Sequence, residues 1–127
     1  MGTGADTTIS EIDTNGDAIA RTITCTGCGD IEGIALISSI ASTTAPGVFD
    51  HTFMISTENN LSNARVFRIT IPSTGNVAVN MNNYYETGIA HGANTGLEGI
   101  AYNAVTSTYY FAEEDATETL YQGTITG

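Results

Sequence analysis

Four glutamates occupy matched positions in two repeated stretches of this chain. Glu32 and Glu98 each stand directly before a glycine, and Glu58 and Glu114 each end a segment rich in aromatic and β-branched residues. Carboxylates that lie within a few ångströms of one another must take up protons or bind a cation. Calcium suits such a group, because it accepts about six to eight oxygen ligands in flexible geometry. The repetition predicts a calcium site, whereas solvated loop carboxylates are the alternative.

Other titratable residues lie near these glutamates in the sequence. His91 lies in a glycine-rich loop before the second repeated strand, where it could serve as a general acid or base, and a plain loop histidine is the alternative. Three more acids are close enough in sequence to add oxygen ligands. The predicted metal ligands are therefore Glu32, Glu58, Glu98, Glu114, Glu113, Asp30 and Asp115.

Two short motifs have structural explanations. The segment 13–17 resembles the start of a calcium-binding loop, but Thr24 stands where such a loop needs a bidentate glutamate, so its Asn-Gly pair predicts a tight hairpin. Cys25 and Cys28 are too few for a structural zinc site and are not followed by the helix that a thioredoxin-like motif opens. A loop disulfide or two inert thiols is the favoured interpretation.

The repeats define the elements that must position these residues. Segment 30–36 returns as 96–102, 66 residues later, segment 53–58 returns as 109–114, and segment 66–71 returns as 120–125. All are short, apolar or β-branched, and bounded by turn residues, which is typical of strands. Further strands are expected at about 7–12, at about 18–24 and at about 77–81, the last two as outer strands.

The order of these strands predicts an all-β fold built from β-propeller blades of four antiparallel strands. About two blades are expected, one over about 30–81 and one over about 96–126, with residues 7–24 belonging to a preceding blade. Since a propeller needs at least about four blades, residues 1–127 form one partial or self-associating domain. Other chains, or the rest of a longer protein, would complete the ring.

The antiparallel order predicts where the glutamates meet. Because the second strand of a blade ends beside the start of the first, Glu58 should neighbour Glu32, and Glu114 should neighbour Glu98, at the mouth of the central channel. Strand alternation places Glu32 on one face of its strand with Ile34 and Leu36. The opposite face carries only small residues and should let another backbone approach closely.

The charge of the chain limits its partners. Fourteen acidic residues face three basic ones, for a net charge of −11. This balance disfavours nucleic acid and anionic membranes, which both attract Lys and Arg. It favours cations or a salty extracellular setting, so a secreted or periplasmic location is expected. No apolar run is long enough for a membrane span.

The segments Leu97–Ala101 and Tyr110–Asp115 together resemble a blade of the β-propeller phytases, in which a Glu-Gly pair is followed by an Ala-Glu-Glu-Asp run. Segment Asp30–Gly33, together with Met54–Asn60, resembles a second blade of that family. The Glu-Gly-Ile-Ala motif is also similar to that of the esterase-like, phytase-like bacterial propellers. The resemblance covers about residues 8–126. It implies a six-bladed ring in which Glu32, Glu58, Glu98 and Glu114 bind calcium, and in which calcium-activated water attacks a phosphoric ester.

Three functional hypotheses follow. The first is a calcium-dependent hydrolase of phosphoric or related esters, acting on a phosphorylated small molecule. The second is a non-catalytic ligand-binding or structural propeller module that assembles into a closed ring. The third is a lectin-like oligomer, which the absence of tryptophan weakens because sugar sites commonly use aromatic platforms. In the first case, Arg21, Arg65 and Arg68 are the only basic side chains that could hold phosphate.

Overall fold

A computed structural model describes residues 6–58, 63–80, 84–90, 96–114 and 119–125. Within these ranges the chain is all-β. The ten strands are β1 (Thr7–Ile9), β2 (Ile23–Thr26), β3 (Asp30–Ala41), β4 (Phe49–Glu58), β5 (Asn63–Pro72), β6 (Val77–Asn80), β7 (Tyr84–Ala90), β8 (Leu97–Asn103), β9 (Thr108–Glu113) and β10 (Leu120–Gly123). The predicted all-β class is confirmed.

The strands form three sheets, two of which have the antiparallel order expected of propeller blades. The first sheet has the order β1-β2-β6, the second β3-β4-β5-β7, and the third β10-β9-β8. All neighbours in the second and third sheets are antiparallel, so the second sheet is one four-stranded blade. The third sheet repeats the inner three strands of that blade. In the described residues, no helix is long and apolar enough to cross a membrane.

The prediction that an outer strand at about 77–81 completes the first repeat was wrong. Strand β6 instead pairs in parallel with β2 of the first sheet, and β7 pairs with β5 as the outer strand of the blade. The turn before β6 is held against the first sheet, because Arg21 Nη1 donates to the Pro72 carbonyl at 2.6 Å and Thr22 N donates to Asn76 Oδ1 at 2.8 Å. These bonds direct β6 away from its own blade.

The predicted hairpin at residues 13–17 is confirmed. Asp13 Oδ1 accepts hydrogen bonds from Asn15 N at 2.8 Å and from Asp17 N at 3.0 Å. These backbone donors lower the pKa of the Asp13 carboxyl, the Asp17 bond having the larger effect. Gly16 takes a φ of 88°, which suits a glycine in a tight turn. The carboxylate therefore stabilises the turn.

Two apolar cores separate the three sheets. The first core lies against the first and second sheets and is built from Ile23, Cys25, Cys28, Ile55, Phe67, Ile69, Ile71 and Val79. The second core joins the second and third sheets and contains Met54, Ala64, Val66, Leu97, Tyr109 and Phe111. Cys25 and Cys28 form a disulfide in the first core, which confirms the loop disulfide among the alternatives. The second sheet thus packs against a core on each of its faces, as an inner blade does.

Gly33 marks the closest approach between the second and third sheets. A Cβ atom at this position would lie 2.7 Å from Ser56 Oγ and 3.0 Å from the backbone nitrogen of Ile100. Such distances leave no room for a side chain. The prediction that the small-residue face of β3 admits another backbone is therefore confirmed, and β8 is the strand that it admits.

Candidate metal centre at the strand ends

Glu32 and Glu98 occupy the same β-bulge in the two repeats. In the first repeat Ile31 opposes Thr57 and Gly33 opposes Ser56, so that Glu32 is the extra residue. In the second repeat Leu97 and Gly99 oppose consecutive residues of β9, and Glu98 is extra. A bulge re-aims a side chain and recurs next to functional sites. Both glutamates therefore share one local backbone geometry.

The bulge changes the predicted assignment of faces on β3. Ile34 opposes Ile55, and Ile31 packs against the core that contains Ile55. Ile31 and Ile34 thus lie on the same face of the sheet although their positions differ by three, because the bulge absorbs one residue. Glu32 stands at the irregularity and does not simply share the alternation of Ile34 and Leu36, as had been expected. Sequence periodicity gave no sign of the inserted residue.

The second strand of each repeat ends beside the start of the first strand, as antiparallel order predicted, whereas the contacts of Glu58 with Glu32 and of Glu114 with Glu98 stay a prediction. Asp30 and Glu58 are direct partners across β3 and β4. In the second repeat, Glu114 N donates to the Gly96 carbonyl at 3.2 Å, which is the equivalent pairing. Each repeat therefore brings the end of its second strand beside the start of its first. Asp30 and Glu114 are exposed at this end of the sheets.

Glu113 is placed differently from the other predicted ligands. It is buried, with 6% of its surface exposed, and its Oε2 accepts a hydrogen bond from the Tyr121 hydroxyl at 2.8 Å. Its backbone nitrogen donates to the Thr119 carbonyl at 3.1 Å. This carboxylate ties β9 to the third strand of its own sheet.

Some predicted site residues lie outside the described part of the chain. These are His91, Asp115 and the side chain of Glu58. Among the residues that the structure does describe, no three His, Cys, Asp or Glu side chains gather closely enough to hold a metal ion. The donor type nevertheless fits calcium, since every candidate ligand offers carboxylate oxygen. The calcium site thus stays a prediction.

Ser56 is a buried polar residue that the sequence interpretation missed. It is fully buried opposite the bulge, beneath Gly33, and its hydroxyl has no hydrogen-bond partner within the described residues. Its equivalent in the second repeat is Ala112, so the repeat pattern offered no signal for a hydroxyl here.

The three arginines contact structural partners in the described residues. Arg21 forms an ion pair with Glu11, and Arg65 Nη2 lies 2.8 Å from Glu86 Oε1. Arg68 opposes Met54, four residues before the end of β4, which is about 13 Å along the strand from Glu58. Its guanidinium lies 5.4 Å from the centre of the Tyr85 ring. Of the three, Arg65 lies nearest to the acidic end, because Val66, the next residue along β5, pairs with Ser56, two residues before Glu58.

A tyrosine cluster near Arg68 joins the second and third sheets. The ring centres of Tyr102 and Tyr109 lie 4.6 Å apart, and Tyr109 is 4% exposed. Burial raises the pKa of the Tyr109 hydroxyl above its ordinary value of 10.0; the nearby Tyr102 adds to this rise and Arg68 opposes it. The cluster is part of the second core and keeps Tyr109 protonated.

This burial predicts a loss of stability in alkali. Because the folded protein retains the Tyr109 proton to higher pH than the unfolded chain, stability should fall as the pH rises above 10.0. Tyr109→Phe should weaken that pH dependence, because it removes the buried hydroxyl that titrates. Thermal melting between about pH 9 and about pH 11 measures it. Equal slopes for wild type and Tyr109→Phe would contradict the assignment.

The stacked antiparallel sheets, with acids at matched strand ends, define the class of the protein as propeller-like. The chain matches the model of the SdiA-regulated family over residues 2–126, and it belongs to that family. This is a β-propeller-like domain related to phytase-like families, which supports the propeller part of the resemblance. No curated protein and no solved structure shows significant similarity to the chain.

Proposed function

We propose that this chain supplies part of the calcium-binding end of a propeller channel, and that the bound calcium serves hydrolysis of a phosphoric ester. The observation that carries the proposal is the repeated bulge. Glu32 and Glu98 are the inserted residues of two separate strands, and each strand starts beside the acidic end of its partner. The same β-bulge at both glutamates favours a common role as metal ligands over the alternative that they are solvated loop carboxylates.

Each repeat would contribute its own residues to such a site. Glu32 and Glu98 would hold calcium from the bulges, with Glu58 and Glu114 as ligands from the second strands. Asp30, Glu113 and Asp115 would add ligands or orient them, and His91 would move a proton. Bound calcium would supply an activated water and neutralise phosphate charge. The acidic chain would work in a secreted or periplasmic setting, with further blades from self-association or a longer protein.

A non-catalytic module is the second candidate, and the arginines favour it. Arg21 and Arg65 are engaged in ion pairs, and Arg68 lies against Tyr85. A site for a highly charged phosphoester needs cationic groups besides the metal. Arginine suits this role, because its guanidinium forms bidentate hydrogen bonds with phosphate. In this alternative calcium holds the strand ends together, and the channel mouth binds another ligand.

Calcium titration tests the proposal that both candidates share. Calorimetric titration into chelator-treated protein should show binding, and Glu98→Gln or Glu32→Gln should weaken it by about tenfold or more, since even the hydrogen-bond partners of metal ligands contribute about 10–100-fold. Glu86→Gln is the matched control, because Glu86 lies on β7 and pairs with Arg65. The calcium affinity of the Glu86→Gln variant should equal that of the wild type.

Two outcomes decide between the candidates. Calcium-dependent release of phosphate from p-nitrophenyl phosphate, lost in Glu98→Gln, supports the hydrolase. Calcium binding without turnover supports the structural module. A well-folded wild type that shows no calorimetric response to calcium would refute the metal site in both.

A further inference from the structure

One face of β3 is apolar and open. Ile34 is 46% exposed and Leu36 is 51% exposed, although both belong to the blade in the middle of the molecule. They oppose Ile55 and Phe53, which pack in the first core, so all four side chains share one face of the second sheet. The first core covers the β4 part of that face and Ile31 at the start of β3, whereas Ile34 and Leu36 stay exposed.

Strand β1, which lies next to this open face, has a free edge. Within the described residues, β1 pairs only with β2, so that the other side of β1 offers unpaired backbone groups. The Thr7 hydroxyl of β1 donates to the carbonyl of Gly29, which directly precedes β3, and Ile9 and Ile31 pack against the same core, so β1 lies near the start of β3. An exposed edge of this kind accepts an added strand.

The chain contains a template for what covers such a face. Ile100 and Tyr102 of β8 are the repeat equivalents of Ile34 and Leu36, and they are covered and half-buried in the second core. The strand that lies on them is β3, which approaches so closely that a Cβ atom added at Gly33 would lie 3.1 Å from Cγ2 of Ile100. The cover of this kind of face is therefore an extended strand with small residues at alternate positions.

We propose that the open face of β3 and the free edge of β1 together bind an extended peptide strand that carries glycine and alanine at alternate positions. Hydrogen bonds to the edge of β1 would give affinity, as in other cases of strand addition. The contact with Ile34 and Leu36 would select small residues, because a larger side chain would prevent the backbone from approaching. The proposal goes beyond calcium binding and does not depend on it.

The sequence of β8 supplies a suitable probe. A fluorescein-labelled peptide with the sequence of residues 96–103 carries Gly99 and Ala101 at alternate positions. Fluorescence polarisation should show saturable binding of this peptide to the wild-type chain, with and without a calcium chelator. A peptide in which both small residues are replaced by valine should not bind.

Substitutions in the protein locate the binding face. Leu36→Asp should weaken peptide binding by about tenfold or more, because it removes an apolar contact and buries a charge. Leu36→Thr is a milder variant that keeps strand propensity, and it should weaken binding in the same direction. Val105→Asp is the control, since Val105 is 94% exposed in the β8–β9 turn. Circular dichroism checks that each variant is folded.

Each possible result either supports or overturns the proposal. Selective binding that both Leu36 variants weaken supports the proposal. Absence of peptide binding to a folded wild type, or equal affinity of the wild type and Leu36→Asp, would overturn it. Equal binding of the valine peptide would also overturn it, because the selectivity for small residues would then be absent.

Discussion

A Gly33→Ala variant is expected to have a free energy of unfolding about 1–3 kcal/mol below that of the wild type. The added methyl group would lie 3.0 Å from a backbone nitrogen of β8, which cannot move without shifting the third sheet. Overpacking of a tight interior site typically costs this much. Ser56 Oγ, 2.7 Å from the new atom, can rotate, so the backbone contact sets the cost.

Gly99→Ala is the matched control for this prediction. Gly99 is the repeat equivalent of Gly33, but a Cβ atom there would meet only the Ala112 methyl group at an ordinary 3.6 Å. Alanine also reduces the conformational freedom of the unfolded chain. The free energy of unfolding of Gly99→Ala should therefore equal that of the wild type or exceed it by up to about 1 kcal/mol. Denaturant unfolding followed by circular dichroism compares the two. Equal destabilisation of both variants would show that the close approach at Gly33 is not specific.

Leu97→Ala is expected to lose about 2–5 kcal/mol of stability, the range for removing a large buried side chain from a core. Leu97 is fully buried in the second core at the start of β8, next to the bulge. Since a domain is usually stable by only about 5–15 kcal/mol, this loss should lower the melting temperature strongly. The variant should also disturb the position of Glu98.

Leu120→Ala provides the contrast. Leu120 is 70% exposed on β10, so its truncation should change stability by no more than about 0.5 kcal/mol. Thermal melts of both variants, with the disulfide kept oxidised, measure the difference. A Leu97→Ala variant as stable as Leu120→Ala would mean that the second core does not hold the third sheet.

The strands that the sequence predicted best are those with a repeated pattern. Segments 30–36 and 96–102 became β3 and β8, because both bury apolar residues against a neighbouring sheet. The register at the acidic strand ends followed from simple antiparallel geometry. The bulges did not, since an inserted residue leaves no mark in a short apolar pattern.

The outer strand of the second sheet is β7 and not β6, which shows a second limit of what the sequence could predict. Segment 84–90 contains Glu86 and Gly88, which are unfavourable in strands, and it was not among the strands expected from the sequence. Its pairing with β5 is supported by the ion pair of Glu86 with Arg65 and by the Thr87 hydroxyl, which donates to the Ala64 carbonyl at 2.8 Å. These are contacts between distant residues, and no local propensity reports them.

The crossing of β6 into the first sheet has a consequence for how the molecule unfolds. In repeat architectures each unit usually contacts its neighbour only through side chains, and the units can open one at a time. Here β6 pairs with β2 in the first sheet, while β5 and β7, on either side of β6 in the chain, belong to the second sheet. Because the chain runs from the second sheet into the first and back, moving the two sheets apart requires breaking the main-chain hydrogen bonds of β6 with β2 or those of β5 with β7, so these two sheets should exchange their amide protons as one cooperative unit.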